Sequence, residues 1–364
     1  TFHQREHVAM RPVLRRFLAA VVLTTLPAGI TFGGGWAHYG GDEGGSRFSP
    51  LNAINKDNVA GLELAWQYRT GAVRDNPELK KYLDFQATPT LLPPEAGGHL
   101  VLCDPFGKVI ALEPATGTPR WTMDPKIDKT PYAARFKCRG VEYWADPAAA
   151  PGAACAHRLF VATADKRLVA MDARDGKRCA GFGTNGEVNV DPLIKATFPA
   201  DGVELTQLAS PPTAINGVVA VSSFGNKFRS SSSTNGAIRG FDARTGALRW
   251  TFDPLVRDAA TGFEPVPMEV GGGNTWVPMA ADSARDLLFI PTAAPAPNYW
   301  GVHRPGDNRY ANSIVALRAS TGEVVWHFQT LHHDVWDRDV GSPPLLVDIT
   351  KDGRKIPAVI VMAK

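Results

Sequence analysis

The stretch Gly240-Phe-Asp-Ala-Arg-Thr-Gly-Ala-Leu-Arg-Trp250 decides the fold, because the chain repeats its pattern three more times. The other copies are Ala111-Leu-Glu-Pro-Ala-Thr-Gly-Thr-Pro-Arg-Trp121, Ala170-Met-Asp-Ala-Arg-Asp-Gly-Lys-Arg-Cys-Ala180 and Ala316-Leu-Arg-Ala-Ser-Thr-Gly-Glu-Val-Val-Trp326. Each copy begins with a small residue and an apolar one, and then closes a tight turn on Gly117, Gly176, Gly246 or Gly322. Glycine adopts a positive φ without a steric penalty, so we expect the chain to reverse there as a hairpin.

The last residue of each copy and the intervals between copies extend the prediction from single hairpins to the fold of the chain. An aromatic residue closes three copies, where it can pack across the sheet onto the neighbouring unit, and the second copy has Ala180 instead. The turn glycines recur at intervals of 59, 70 and 76 residues, which is long enough for four strands and variable loops. Strand-rich self-similarity at such a period predicts an all-β fold, a β-propeller of four-stranded blades.

A loop rich in titratable groups follows the fourth copy, at Gln329-Thr-Leu-His-His-Asp-Val-Trp-Asp-Arg-Asp339. Three carboxylates and two imidazoles at the end of a strand are typical of a site that transfers protons. The loop also carries Trp336, an aromatic residue that we do not expect in water without a reason. A solvated acidic loop is the simpler interpretation of such a stretch in isolation, but its place after the fourth copy favours the functional one.

Composition bounds the class of protein. The 364 residues include 44% hydrophobic residues, 35 Gly and 29 Pro, which is typical of a globular, loop-rich chain with ample material for a core. The net charge is only +3, and no basic stripe alternates with aromatic residues. The sequence therefore gives no indication of a nucleic-acid partner.

The first 35 residues have the layout of an export signal. A basic stub at residues 10–16 precedes an apolar run at residues 17–30, which Pro27 interrupts. The run is short for a membrane span, which needs about 20 apolar residues. We therefore expect residues 10–35 to be a signal-peptide-like segment, residues 1–9 to be an upstream translation artefact before Met10, and the protein to be periplasmic.

The four cysteines fit an oxidising compartment. Cys138 and Cys155 lie on either side of a Pro- and Ala-rich insertion and could join its ends through a disulfide. Cys103 and Cys179 lie on strand-like runs, so we expect them to be buried thiols. The chain has no Cys-x-x-Cys, so neither zinc nor covalently bound haem is indicated.

Several motifs together resemble the pyrroloquinoline quinone (PQQ) dehydrogenases over nearly all of residues 36–364. The repeat is similar to the tryptophan-docking repeat of that family, and the order of the motifs is most similar to its membrane-bound glucose, polyol and quinate branch. The other motifs are Trp36-Ala-His-Tyr-Gly-Gly-Asp-Glu-Gly-Gly-Ser-Arg-Phe-Ser-Pro50, Asn58-Val-Ala-Gly-Leu-Glu-Leu-Ala-Trp66, Cys138-Arg-Gly-Val-Glu-Tyr-Trp144 and Arg304-Pro-Gly-Asp-Asn-Arg-Tyr-Ala-Asn-Ser-Ile314.

The resemblance implies an eight-bladed propeller of roughly twice this length. The sequence ends within a strand-like run at residues 356–364. We therefore expect residues 36–364 to form a partial propeller domain of about four to five blades, with an incomplete ring. A smaller propeller closed by its own termini is the alternative.

The resemblance also implies roles for individual residues. Asp337 matches the general base that takes the substrate's hydroxyl proton as hydride moves to PQQ, whereas Asp334 is expected to cap a turn. Trp276, after three glycines, matches the residue that stacks on the quinone plane. Further positions beside the cofactor or substrate are expected at Lys364, Trp144 and Gln86.

A divalent cation, Ca²⁺ or Mg²⁺, is implied with Asp337 and Asn226 as ligands. The protein supplies few ligands for a hard cation, which prefers six or more oxygens. Lys227 follows Asn226, and Ala294 stands where alcohol-oxidising relatives have Asn. PQQ itself and water would therefore have to supply further oxygens.

The implied function is PQQ-dependent oxidation of a sugar, a polyol or a cyclic alcohol, with electrons passed to a quinone acceptor. The matching branch also implies peripheral association with the inner membrane. Trp144 stands where the glucose enzyme has a His, so glucose itself is not favoured over a polyol or a quinate-type alcohol. The alternatives are a non-enzymatic propeller scaffold of the outer-membrane assembly type and an inactive remnant of a dehydrogenase.

Overall fold

The computed structural model describes residues 35–129, 135–194, 207–208, 210–224 and 236–364. Apart from Gly35, the proposed signal segment and the residues before it lie outside this part of the chain. Helix is confined here to short 3₁₀ turns at Val59–Gly61, Pro77–Tyr82, Pro94–Ala96, Asp191–Leu193 and Ala259–Thr261. The described residues accordingly include no helix with the length and apolarity that a bilayer span requires.

Short strands dominate the described residues. In chain order they are β1 (Leu83–Phe85), β2 (Thr90–Leu91), β3 (Leu100–Cys103), β4 (Val109–Leu112), β5 (Pro119–Met123), β6 (Phe136–Cys138), β7 (Glu142–Ala145), β8 (His157–Ala162), β9 (Arg167–Asp172), β10 (Glu187–Asn189), β11 (Gln207–Leu208), β12 (Thr213–Ile215), β13 (Val218–Phe224), β14 (Ile238–Asp242), β15 (Leu248–Phe252), β16 (Ala280–Asp282), β17 (Leu287–Pro291), β18 (Ser313–Arg318), β19 (Val324–Gln329), β20 (Leu345–Lys351) and β21 (Arg354–Ile360).

Consecutive strands pair into successive antiparallel sheets. The sheets β2-β3-β4-β5, β7-β8-β9-β10, β12-β13-β14-β15 and β16-β17-β18-β19 are four blades, and β11 adds to the third through β13. The hairpin β20-β21 begins a fifth blade, and β1 pairs in parallel with β6. The first strand of the third blade, β12, contacts the first strands of the second and fourth blades, β7 and β16. This architecture confirms the all-β propeller and the expectation of four to five blades.

The four turn glycines have the predicted conformation. Their φ angles are +69°, +73°, +74° and +78°, in chain order. The N–H of each donates to the carbonyl four residues earlier, as Gly322 N does to Arg318 O at 2.8 Å. In the three copies that end in tryptophan, the hairpin register also shifts at the second residue of the pattern. A shared shift of this kind shows that each of these copies builds the same outer hairpin.

Tryptophans join the blades, as predicted from the repeat. A Cβ added to Gly322 would lie 2.7 Å from Trp250 Cγ, so the indole lies directly on the glycine of the next repeat. Its Nε1 donates to Ala319 O at 2.8 Å. Trp121 covers Gly176 in the same way, and Trp66 covers Gly117. Glycine is required at these turns both for its positive φ and for the space that the indole fills.

The second copy differs because Ala180 replaces the tryptophan. Its chain makes only an isolated bridge between Met171 and Arg178 after the turn, and β10 supplies the outer strand later. Gly246 of the next repeat is covered instead by Val188 Cγ2, 2.7 Å from an added Cβ. Gly183 N donates to Thr245 O at 2.8 Å. A loop and a valine thus take the place of the docked indole.

The predicted cysteine chemistry was wrong. The disulfides join Cys103 to Cys138 and Cys155 to Cys179, so Cys103 and Cys179 are not thiols and Cys138 does not staple the insertion to Cys155. Cys138 is at the end of β6, which lies beside β1 and the first blade. Cys155 and Cys179 flank the adjacent antiparallel strands β8 and β9. Blade pairing, rather than proximity along the chain, decided which cysteines meet.

Apolar side chains fill the spaces between successive blades. Alternate residues of a strand point to opposite faces, so Leu159 packs toward the first blade while Phe160 packs toward the third. Side chains of the facing strands complete these interfaces, as Ile238 and Leu288 do between the third and fourth blades. Full burial of one such side chain contributes about 1.5–3 kcal/mol, so these interfaces hold the blades in fixed positions.

The N-terminal segment of residues 36–45, which we call the strap, crosses the first strands of several blades. Trp36 O accepts from Leu91 N at 2.8 Å, and Glu43 O accepts from Ala281 N at 2.8 Å. In between, His38 Nδ1 lies 3.2 Å from the buried Glu142 carboxylate. Burial acts to lower the pKa of His38, but Glu142 raises it above its ordinary value. The strap therefore ties the first, second and fourth blades together.

Candidate active site

The predicted residues Trp276, Asp337 and Lys364 form one cluster with the neighbouring Asp339. Trp276 Nε1 donates to Asp339 Oδ2 at 3.1 Å. The Lys364 ammonium lies 3.5 Å from the carboxylates of both Asp337 and Asp339. The Lys364 side chain is 48% exposed, whereas those of Asp337 and Asp339 are 14% and 4% exposed. The cluster thus combines a planar ring, two sheltered carboxylates and a more accessible cation.

Three separate segments bring these groups together. Trp276 precedes β16, the two aspartates lie between β19 and β20, and Lys364 follows β21. The loop after β17 fixes Asp339, because Ala294 N donates to Asp339 Oδ1 at 2.8 Å. Burial acts to lower the pKa of Lys364, but the Asp339 and Asp337 carboxylates raise it. Asp339 is therefore held in place from two sides, and its neighbour Asp337 is the less enclosed of the two carboxylates.

Sequence reasoning missed Arg139. Its guanidinium carbon lies 5.6 Å from the centre of the Trp276 ring, within the range of a cation–π contact. Burial lowers the pKa of Arg139, which at such a residue still leaves the cation in place. The residue directly follows Cys138 in one of the motifs, but nothing in that motif indicates that it lies beside Trp276. Gly341 was also missed; a Cβ there would lie 3.4 Å from the indole.

A network of buried polar groups shapes the loop of residues 330–339. Asp334 accepts from Trp336 N at 2.8 Å and from Arg338 N at 2.7 Å, which confirms its predicted turn-capping role. The Asn312 amide donates to Asp334 Oδ2 and to Arg338 O, both at 2.8 Å. The fully buried Arg304 donates to Asp334 O. Trp336, which we did not expect in water, is 71% exposed.

Two buried asparagines flank the cluster with unused amides. Asn274 lies two residues before Trp276, and Asn298 lies on the loop that carries Ala294. The Oδ1 and Nδ2 atoms of both residues are enclosed, and none has a hydrogen-bond partner among the described residues. Buried amides are normally paired, so these four atoms are exceptions among the described residues.

The remaining predicted positions lie apart from the cluster. Trp144 is buried in the core between the second and third blades, with the guanidinium groups of Arg158 and Arg244 5.8 and 5.4 Å from its ring. Gln86 is exposed just after β1. Two residues further on, Thr88 N donates to Arg139 O at 3.2 Å. Cofactor binding by Trp144 and Gln86 stays a prediction.

The metal prediction rests partly on residues outside the described chain. Asn226 lies in residues 225–235, which are not described. Within the described ranges no three His, Cys, Asp or Glu residues form a group that could hold a metal ion. Ala294 uses its backbone N–H to bind Asp339 instead. The glycines before Trp276 allow close protein packing, because a Cβ on Gly272 would lie 2.7 Å from Ala296 N.

Comparison with known proteins places this geometry in a family. The sequence profile described as "PQQ: Glucose/ethanol/alcohol dehydrogenase, beta-propeller domain" matches residues 36–364. The quinoprotein glucose dehydrogenase of Escherichia coli (strain K12) is 36% identical over 335 residues, which are 90% of this chain and 41% of that protein. The quinate/shikimate dehydrogenase (quinone) of Acinetobacter baylyi (strain ATCC 33305 / BD413 / ADP1) is 34% identical over 349 residues, 90% of this chain and 41% of that protein.

A solved structure agrees with these sequence matches. The quinohemoprotein alcohol dehydrogenase from Comamonas testosteroni superposes with a TM-score of 0.70 at 26% identity, over 91% of this chain and 46% of that one. The chain spans about two fifths of the length of the curated relatives it matches. The profile match alone covers most of the chain, and the blades and the turn glycines agree with it. The chain belongs to the PQQ-dependent glucose/ethanol/alcohol dehydrogenase β-propeller family.

Proposed function

We propose that this chain carries the base and part of the cofactor-binding surface of a PQQ-dependent dehydrogenase that oxidises a sugar, a polyol or a cyclic alcohol. The observation that carries the proposal is the cluster of Trp276, Asp337, Asp339 and Lys364 beside Arg139. A base beside a planar aromatic surface and two cations is the arrangement that alcohol oxidation by an anionic quinone requires. A scaffold protein would have no use for it.

The residues present fit PQQ, a planar quinone with carboxylate groups. The Trp276 ring offers a flat, polarisable face. Arg139 and Lys364 offer cations for carboxylate or quinone oxygens, and Arg suits carboxylates because its donors form a planar fork. The enclosed and unpartnered Asn274 amide adds a donor and an acceptor two residues from Trp276.

In the proposed reaction the alcohol loses a proton and a hydride. PQQ, when bound, supplies the acceptor for the hydride. Asp337 takes the proton from the reacting hydroxyl, because its carboxylate is sheltered yet less enclosed than that of Asp339. Asp339 holds Trp276 through the indole N–H, and Lys364 places a positive charge beside both carboxylates. A quinone is the proposed acceptor of the two electrons that the alcohol gives up.

The cation remains a separate proposal. Ca²⁺ or Mg²⁺ would be held by Asp337 and Asn226, and only Asp337 is among the described residues. The described donors alone do not make a cage for a hard cation, so no step of the reaction is derived through it.

The relatives and the disulfides support a substrate class and a compartment. Relatives named for glucose and for quinate or shikimate support a small polyhydroxy substrate. Two disulfides support an oxidising compartment, and we propose the periplasm, with peripheral association at the inner membrane.

The test is reconstitution of the purified protein with PQQ and either Ca²⁺ or Mg²⁺. Glucose, glycerol and quinate are offered with an artificial electron acceptor and then with a soluble ubiquinone analogue. PQQ-dependent reduction of the acceptor is expected, and none with NAD or NADP. Turnover with a nicotinamide cofactor, together with none on PQQ, would show that the proposal is wrong.

A further inference from the structure

The strap of residues 36–45 lies along the edges of several first strands. Three backbone N–H groups of these strands donate to strap carbonyls at 2.8–2.9 Å: Leu91 N to Trp36 O, Ala281 N to Glu43 O and Leu346 N to Gly44 O. We call these three N–H groups the strap amides. A backbone N–H at the edge of a sheet needs a partner from outside that sheet, and here the strap supplies it. The strap amides therefore report whether the strap is in place.

A buried carboxylate fastens the middle of the strap. Glu142, at the start of β7, is 5% exposed, and its Oε1 lies 3.2 Å from Nδ1 of His38 in the strap. The same oxygen accepts from Ala214 N of β12 at 3.0 Å. One carboxylate thus joins the strap to both the second and the third blade. A buried charge is costly unless it is paired, so this junction depends on the charge of His38.

Three carboxylates near His38 favour its protonated form. Burial acts to lower the pKa of His38, but Glu142 raises it above its ordinary value, and Glu43 and Asp42 of the strap add to the rise. Glu43 is itself engaged by Ser283, whose N–H and hydroxyl donate to it at 3.2 and 2.5 Å. Glu142 is therefore the carboxylate that the imidazole contacts directly, and the other two act from further away.

The remaining charged or titratable side chains around His38 do not change this balance near neutral pH. Those that line the adjoining cavities are Tyr39, Arg47, Tyr143 and Arg244. Both arginines keep their charge at any pH of interest, and Arg244 is paired with Asp146. Burial raises the pKa of Tyr143 to about 12, so its hydroxyl stays protonated. Among these groups, the imidazole of His38 is the one that we expect to change charge near neutral pH.

We propose that the His38–Glu142 pair is a pH-sensitive latch, which holds the strap on the first strands at mildly acidic pH and loosens it when the imidazole loses its proton. Deprotonation leaves the buried carboxylate charged beside a neutral partner, so the attraction is lost while the cost of burying the charge remains. Glu142 lies three residues after Arg139, and Ala281 lies five residues after Trp276. The latch therefore acts on β7 and β16, the two strands that follow these site residues.

The direction of the pH effect follows from the raised pKa. Because His38 binds its proton more tightly in the folded protein than in the unfolded chain, the pair stabilises the strap fully below the unfolded value of about 6.5. This stabilisation is lost as the pH rises through the higher value of the folded protein. We therefore expect the strap to loosen with increasing pH, and not with decreasing pH.

Hydrogen exchange of the strap amides, measured by NMR on the whole chain from about pH 6 to about pH 9, tests the latch. Each rate is divided by that of Gly322 N, which bonds to Arg318 O within its own turn, so the intrinsic pH dependence of exchange cancels. In the native protein the relative protection of the strap amides should fall by roughly 5- to 10-fold over this range. A relative protection that stays constant or rises with pH would overturn the inference.

Two variants assign the response to the pair. His38→Gln and Glu142→Gln each remove one charge and keep a hydrogen-bonding side chain of similar size. In both, the relative protection at about pH 6 should already be as low as that of the native protein at about pH 9, and should not change with pH. The matched control is His157→Gln, because His157 Nδ1 lies 2.8 Å from the neutral Tyr143 hydroxyl, and it should keep the native response.

The variants also separate the latch from other titrations. If His38→Gln responds to pH as the native protein does, another group controls the strap and the inference is wrong. If His157→Gln abolishes the response as completely as His38→Gln, the assignment to Glu142 is wrong. Should a variant fail to fold, the native protein still decides, because its relative protection either falls with pH or does not.

Discussion

Trp250 and Trp276 are the same residue in two regions of the molecule, and their partners differ. Trp250 is buried on Gly322 between two blades and donates its indole N–H to a backbone carbonyl, Ala319 O, at 2.8 Å. Trp276 is only partly buried in the site and donates to a carboxylate, Asp339, at 3.1 Å. A neutral backbone partner is available at any blade interface. A carboxylate and a guanidinium beside one indole are the features on which the proposed cofactor site rests.

Asp337→Asn is expected to have the largest effect of these variants. The effect should be confined to catalysis at the proposed site. The change removes the proposed base, so kcat should fall by about 10²–10⁴-fold. Asn tolerates the positive φ of 55° at this position, so Tm and PQQ binding should stay as in the native protein. Steady-state kinetics, PQQ absorbance titration and thermal melting measure the three quantities. Near-normal turnover would move the role of base elsewhere, with Asp339 as the next candidate.

Replacing each tryptophan separately with alanine should distinguish a residue that stabilises the fold from one that binds PQQ. Trp250→Ala is expected to lower the free energy of unfolding by about 3–5 kcal/mol, as for a large side chain removed from a core. Trp276→Ala should cost less stability, because its ring is partly exposed, and should weaken PQQ binding by roughly two- to tenfold or more through lost stacking. Urea unfolding and PQQ titration check the pair. Equal losses of stability would contradict the distinction between interface and site.

Removal of the Cys155–Cys179 disulfide tests the second blade, whose repeat lacks the docked tryptophan. The bridge joins cysteines 24 residues apart, and Cys179 lies in the repeat copy that ends in Ala180. Replacing both cysteines with alanine should cost about 2–4 kcal/mol of stability. Differential melting curves of the double variant, with and without reductant, provide the measurement. If reductant lowered the Tm of the native protein and the variant equally, the second bridge, Cys103–Cys138, would be the one that matters.

Gly322→Ala probes the close packing of Trp250 directly. Its φ is +78°, and the new Cβ would lie 2.7 Å from Trp250 Cγ, so both strain and a clash oppose the change. We expect a loss of about 2–3 kcal/mol. Gly353→Ala is the matched control: its φ is +72°, but no described atom lies within 4 Å of the added Cβ. That control should lose only about 1–2 kcal/mol of stability for the left-handed backbone. Equal losses would mean that the indole moves aside freely.

The smallest expected effect concerns pH and Lys137, two residues before Arg139. Burial lowers the pKa of this ammonium to about 8, from 10.5. Between these values the unfolded chain binds more protons than the folded one, so this group makes stability rise as pH increases from about 8 to 10.5. Lys137→Met should therefore flatten the rise in Tm across that window. A native curve that falls more steeply than that of the variant would contradict the sign.

Local sequence predicted the repeating part of the molecule well. A turn that closes on Gly246 depends on bonds between residues four apart and on one positive φ, so the pattern of eleven residues suffices to specify it. The same reasoning predicted the docking of Trp250 and the capping by Asp334, since both depend on features that the repeat or the loop contains. The second repeat is the exception. Its Ala180 indicated that no tryptophan docks there, but the sequence did not predict which residue takes its place.

The site was predictable only in part. Asp337 and Trp276 stand in motifs that the resemblance identifies, and the fold brings both to Asp339 and Lys364. Arg139 carries no local signal, because its place in the cluster depends on the indole that it faces, which comes from a distant segment of the chain. The cysteine pairing failed for the same reason, since Cys103 meets Cys138 through β1 and β6 and not through the insertion.

The sequence by itself therefore determined the blades, their turns and the chemistry of the loop before β20, because each depends on contacts within a few residues or on a repeated pattern. Only the tertiary structure decided which cysteines bond, which cation lies over Trp276 and which buried amides lack a partner among the described residues. Those outcomes depend on how separate blades stack around the first strands. Distances between such blades are set by the packing of many side chains at once, which no single stretch of sequence contains.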